Sequence, residues 1–96
     1  MIPETIKSKE IPNAYDYGLG TQCKPRTGDW NDNCGNSSGF YMGNDLSNAP
    51  TTGWVYVIHL VHNELYSKQI ATTFGSTDMW IRWKNNGNWS GWTKIH

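Results

Sequence analysis

His59 and His62 are separated by two residues and followed by Glu64, and two imidazoles with a carboxylate are donor types that can hold zinc. On an extended strand that odd spacing sends the two rings to opposite faces unless the chain turns between them. His59 is therefore expected to be a neutral, hydrogen-bonded core residue and His62 part of a hairpin loop, with no metal site. Hydrolysis of a polysaccharide would need two opposed carboxylates. Asp29, Asp32, Asp45, Glu64 and Asp78 all stand in turn-type contexts, where such side chains cap backbone amides, and no pair is marked out. The sequence carries neither a nucleophile elbow nor a phosphate-cradling glycine loop, since "GLG" at residues 18–20 lacks the third glycine and a following helix. These features predict a protein that is not an enzyme, with no catalytic residue and no cofactor.

Binding a saccharide makes different demands. Aromatic faces stack on sugar C–H surfaces, and short polar side chains bond the hydroxyls in a site dry enough for those bonds to count. Trp83, Lys84 and Asn85 beside one turn, Tyr66 and His62 at an adjacent loop, and Asn44 at the start of the 44–48 loop supply both types. Each also has a plainer reading, as an aromatic that completes the core or a polar residue that shapes a turn.

Elements that would position these groups follow from pattern. "GWVYVIHLV" over residues 53–61 is β-branched and aromatic at both parities and predicts a central strand. "YSKQIATTF" alternates, with Tyr66, Ile70 and Phe74 on one face and Ser67, Gln69 and Thr73 on the other, as in a half-buried neighbour. "GFYMG" at residues 39–43 reads as a short strand inside a segment otherwise rich in Gly, Asn, Asp and Ser. Asn86-Gly87 suits a type I′ turn. The register that follows pairs Lys84 with Trp89, Trp83 with Ser90 and Ile81 with Trp92. One face of that hairpin then carries Met79, Ile81, Trp83 and Trp92 and is expected to be the core. The other carries Trp80, Arg82, Lys84 and Trp89, with Arg82 placed to stack on Trp89; it is expected to meet another subunit, another segment or a ligand. The fold class expected is mainly β, a small antiparallel sheet or sandwich with a loop-rich N-terminal half.

Length and charge narrow the classes further. Ninety-six residues make one domain, and eight basic residues balance eight acidic ones without a basic run, so neither nucleic acid nor an anionic membrane surface is an expected partner. No apolar stretch is long enough to span a bilayer. Cys23 and Cys34 are read as free thiols, because nothing implies an oxidising compartment; a bridge between them would be a local peculiarity. Residues 1–12, with Pro3 and Pro12, read as an extended linker from something upstream, and 13–96 as the domain. Six tryptophans, five tyrosines and two phenylalanines supply less apolar burial than ordering the whole chain requires, so association is expected.

The succession "YGLG", "GDWN", "GFYMG", "NAP", "GWVYV", "KQIA", "MWIR" and "NGNWSGWTKI", over roughly residues 15–95, resembles the pyocin knob domain of bacteriophage tail fibres and phage-tail-like bacteriocins. The family's aromatic-x-Arg and Gly-x-Trp-x-x-Trp pattern falls on Trp80, Arg82, Gly87, Trp89 and Trp92. Asp29-Trp30-Asn31 stands where the family usually has Asp-Leu-Asn, and the two cysteines lie outside its pattern. The resemblance implies a homotrimeric receptor-binding domain at the tip of a virion tail fibre. Such a domain would be made in the host cytoplasm, joined to an upstream shaft and directed at a bacterial surface polysaccharide. It carries no binding residue across. Two other functions are compatible with it: a trimerisation module that binds no ligand, and a polysaccharide depolymerase.

Overall fold

Ten residues from Trp54 to Asn63 form the longest strand, β3, where β-branched and aromatic side chains suit a pleated surface. The computed structural model describes residues 14–20 and 22–96, so the linker expected over residues 1–12 lies outside the described residues. Around β3 the chain builds one sheet from β1 (Lys24–Pro25), β2 (Gly39–Asn44), β4 (Tyr66–Thr73), β5 (Met79–Asn85), β6 (Asn88–Trp89) and β7 (Thr93–Lys94). The strands lie in the order β1-β2-β3-β4-β5-β6, and β7 also pairs with β5. Helix is limited to short 3-10 turns at Ala14–Tyr17 and Trp30–Asn36.

The protein is therefore mainly β, with two departures from the expected architecture. β1 runs parallel to β2, which makes the sheet mixed; residues 26–38 are long enough for the crossover that a parallel pair needs. The sheet is also single and open. A loop layer, not a second sheet, covers one side, so the described residues form no sandwich.

Turn chemistry sets the register. Between β3 and β4, the Asn63 side-chain oxygen accepts the N–H groups of Leu65 (2.8 Å) and Tyr66 (3.1 Å), which closes the loop locally. Asn86 and Gly87 both take positive φ, 52° and 85°, and the hairpin pairs Lys84 with Trp89 and Asn85 with Asn88 as expected. Further along, Ile81 faces Thr93 instead of Trp92, so β6 and β7 are joined by a one-residue bulge. That slip turns Trp92 to the opposite face, where its indole N–H donates to the Asn48 carbonyl at 2.8 Å.

The covered face carries Tyr41, Val57, Ala71 and Trp80 as successive cross-strand neighbours, with Val55 beside them. Trp30, Cys34 and Leu46 from the loop layer pack on it. Residues 33–36 of that layer run left-handed, with φ of 62°, 48°, 66° and 59°. Asn and Gly tolerate this conformation, whereas Cys34 is strained by it. The Asp29 carboxylate accepts the Asn31 N–H at 2.8 Å and that of Asp32 accepts the Cys34 N–H at 2.8 Å, holding the turn together. Gly43 leaves room for it: a Cβ there would lie 2.5 Å from Leu46 and 3.0 Å from the Trp30 ring. Both cysteines are free thiols.

Gly18 is a sharper constraint, since at φ 72° a Cβ would come within 1.6 Å of the Phe40 carbonyl oxygen. Gly18→Ala is expected to lower unfolding free energy by at least about 2 kcal/mol. Gly75→Ala, whose Cβ meets nothing within 4 Å, is expected to change it by less than about 0.5 kcal/mol. Urea denaturation of the two variants checks the contrast, and equal midpoints would contradict it.

Candidate functional site

Three polar side chains stand side by side under the sheet: His59 on β3, Gln69 on β4 and Arg82 on β5. Arg82 donates from Nε to the Gln69 side-chain Oε1 at 2.8 Å and from Nη1 to the Asn31 side-chain Oδ1 at 2.7 Å. Gln69 in turn donates to the Trp30 carbonyl at 3.1 Å, and the Trp89 indole to the Asn31 carbonyl at 3.3 Å. The guanidinium carbon lies 4.1 Å from the Trp89 ring centre and 4.7 Å from that of Trp92. Arg82 is only 3% exposed.

This arrangement corrects the face assignment read from the hairpin. Trp80, Arg82 and Trp89 lie on the covered face, whereas Met79, Ile81 and Trp83 point away from it and Trp92 crosses over through the bulge. The same inversion holds on β4, where Ser67 and Gln69 are buried and Tyr66 and Phe74 are exposed. The reason lies in the cover. An irregular loop presents carbonyl groups that need donors, and an apolar sheet face supplies none. Gln69 and Trp89 supply them, and Arg82 donates to the Asn31 side-chain oxygen beside them. The stack of Arg82 on Trp89 needs no ligand, because another segment of the same chain completes it.

Burial draws the Arg82 guanidinium down to about 10, opposed by the Asp29 carboxylate, so it remains charged at neutral pH. Hydrogen bonds from Asn48 and from the Asn31 backbone hold the Asp29 carboxyl below its usual range. His59 is fully buried, and burial pushes it down to about 4; the Asn33 backbone and Asp32 oppose this shift, while Arg82 and Arg26 reinforce it. It is thus neutral; the Asn33 backbone approaches the ring closely enough to favour its protonated form, but neither ring nitrogen makes a hydrogen bond of full geometry among the described residues, short of the expected hydrogen-bonded core histidine.

The opposite end of β3 carries the groove. The register passes from Val61 opposite Ser67 to Asn63 opposite Tyr66, which leaves His62 as the extra residue of a bulge. Its ring lies edge-on to Tyr66, 6.3 Å between centres. Nearby, Leu60, Lys68 and Trp83 are direct cross-strand neighbours on the outer face. Together with Val61, Ser67, Lys84 and Asn85 these residues line an open groove of about 630 Å³. Two lysines and a histidine border it without any carboxylate, and neither lysine pairs with an acid among the described residues.

Trp83, Lys84, Asn85, Tyr66 and His62, singled out from sequence, meet in this groove. Asn44 does not. It pairs with Trp54 at the far end of β3, roughly 30 Å away along a strand of this length. The loop that follows Asn44 lines a separate cleft of about 550 Å³. Leu60, Val61, Ser67 and Lys68 were missed, although aligning β3 and β4 across the Glu64–Leu65 turn would have placed Lys68 between Leu60 and Trp83.

The acidic residues do turn duty. Asp29 and Asp32 hold the left-handed loop, Asp45 accepts the Gly53 N–H and Asp78 pairs with Lys94. Among the described residues no three His, Cys, Asp or Glu side chains form a group that could hold a metal ion, and no helix is long and apolar enough to cross a membrane. Compared with known proteins, the chain matches no family model, no curated sequence and no solved structure.

His59 predicts a pH dependence. Its pKa in the folded protein, about 4, lies below its ordinary 6.5, so between those values the unfolded chain binds a proton that the native one excludes. Its contribution, roughly 3 kcal/mol, should be complete above pH 6.5 and lost as the pH falls towards 4. Urea midpoints are expected to drop over that window in the wild type and to stay nearly level in His59→Phe. An identical drop in both would assign the effect elsewhere.

Proposed function

We propose that this chain is the receptor-binding head of a bacteriophage tail fibre, a homotrimer at the virion tip that attaches to a bacterial surface polysaccharide without cutting it. An upstream shaft would precede it in the fibre. The observation that carries this reading is the groove. The exposed rings of Tyr66 and Trp83 supply stacking surfaces beside the side chains of His62, Lys68, Lys84 and Asn85, which can bond hydroxyls. The resemblance of the ordered motifs to pyocin knob domains supports the same reading and supplies the fibre context.

Charge refines the ligand class. A groove bordered by Lys68, Lys84 and His62 and by no carboxylate favours a saccharide that bears negative groups. Three such heads on one axis would raise a weak affinity for a repeating polymer. A purely architectural role, as a trimerisation module, is the second reading; the apolar side of the sheet that the described residues leave uncovered favours it.

Calorimetric titration with oligosaccharides cut from bacterial wall polysaccharide, acidic and neutral, tests the proposal. Acidic chains should bind more tightly, with affinity falling as salt rises. Trp83→Ala should weaken binding at least about tenfold with little change in stability, because the ring is exposed. Unchanged binding by that variant would remove the groove from the account. An absence of binding across the panel would leave the architectural role.

A further inference from the structure

Every strand from β2 to β5 turns its more apolar parity away from the loop layer. Ile58, Ile70 and Ile81 are cross-strand neighbours at the centre of that outer face, and Phe40 extends the row on β2. Phe74 stacks on Tyr56 with ring centres 5.2 Å apart and leans on Trp54 at 6.2 Å. Phe40, Trp54, Ile58 and Phe74, which lie clear of the groove, are between 40% and 62% exposed. Taking about 200 Å² for each of the three aromatics, these alone present on the order of 300 Å². That is already comparable to the largest apolar patch of an ordinary monomer, roughly 300–600 Å². Ile58 and the half-buried Met42, Tyr56, Ile70, Met79 and Ile81 extend it towards the ~800 Å² per partner that a stable association buries.

We infer that this outer face is a self-association surface, covered by the same face of another copy of this chain. The inference rests on the oligomeric part of the proposed function and is independent of its saccharide part. Two properties point to a like partner. The apolar area extends towards that of a standard interface, and Lys68 is the sole charged side chain at an outward position from β2 to β5. A face almost free of charge meets its own copy without like-charge repulsion and offers nothing to steer a differently charged protein. In a trimer, three such faces would close around one axis. Lys68 stands at the groove with Leu60 and Trp83, so the groove falls at the rim of the interface.

Sedimentation velocity and light scattering on the whole chain, from micromolar concentrations upward, test the inference with Ile58→Lys and Trp54→Glu. Both residues point outward, neither lines the groove, and near-UV circular dichroism checks that each variant keeps the native fold. The wild type is expected to be an oligomer and the folded variants monomers, their dissociation constants raised at least about tenfold. Leu19→Lys, equally exposed but off the sheet, should leave the mass unchanged. A wild-type monomer overturns both the inference and the oligomeric reading. An oligomer that survives both substitutions overturns the inference alone. A dimer that they dissociate upholds the inference and removes the trimer.

Discussion

Arg82 lies under the sheet with its guanidinium against Trp89 and Trp92, bonded to Gln69 and Asn31. A buried cation is costly unless it is paired, stacked and hydrogen-bonded, and this one is held by groups from β4, from the loop layer and from the C-terminal hairpin. The loop layer depends on it in return. Residues 30 and 31 direct carbonyl oxygens at the sheet, and Gln69 and Trp89, both in contact with Arg82, donate to them. The polar row of the sheet and the irregular segment above it therefore specify each other's position.

Once that polar row faces the loops, the opposite parity has no further choice. Successive side chains on a strand point to opposite faces, so burying Gln69 and Arg82 turns Ile70, Ile81 and Trp83 outward. A surface that by composition belongs in a core is left without a cover among the described residues. The same geometry makes the groove. Trp83 is available as a stacking surface because Arg82 beside it is buried, and the His62 bulge and the paired turns after β3 and β5 frame it with polar groups. The turns are themselves linked, since Gly87 donates to the Leu65 carbonyl at 3.0 Å.

His59 shows how local identity and environment part company. Its pattern of neighbours marks it as a core residue, and it is one, at the level of Gln69 and Arg82 on the covered face. The same reading gave it hydrogen bonds, of which the structure shows only the approach of the Asn33 backbone. Hydrogen-bond partners for a buried ring come from segments distant in sequence, here the left-handed turn at residues 33–36, whose path depends on several consecutive positive φ values. Turn-prone composition signals that such a path exists. It does not say where the carbonyls point.

Strand identity, the central place of β3, the Asn86-Gly87 turn and the clustering of His62, Tyr66, Trp83, Lys84 and Asn85 were all legible in the residues, because alternation and turn preference act over a few positions. Which face of the sheet is covered was not legible. A period of two separates the faces without ranking them, and the rule that apolar side chains go inside pointed the wrong way. The bulge that turns Trp92 inward and the parallel crossover of β1 were likewise decided only by tertiary contacts. For the covered face and for Trp92 the physical reason is shared: the loop layer needs donors for its own carbonyls, and Gln69, Trp89 and Trp92, brought to it from distant parts of the chain, supply them.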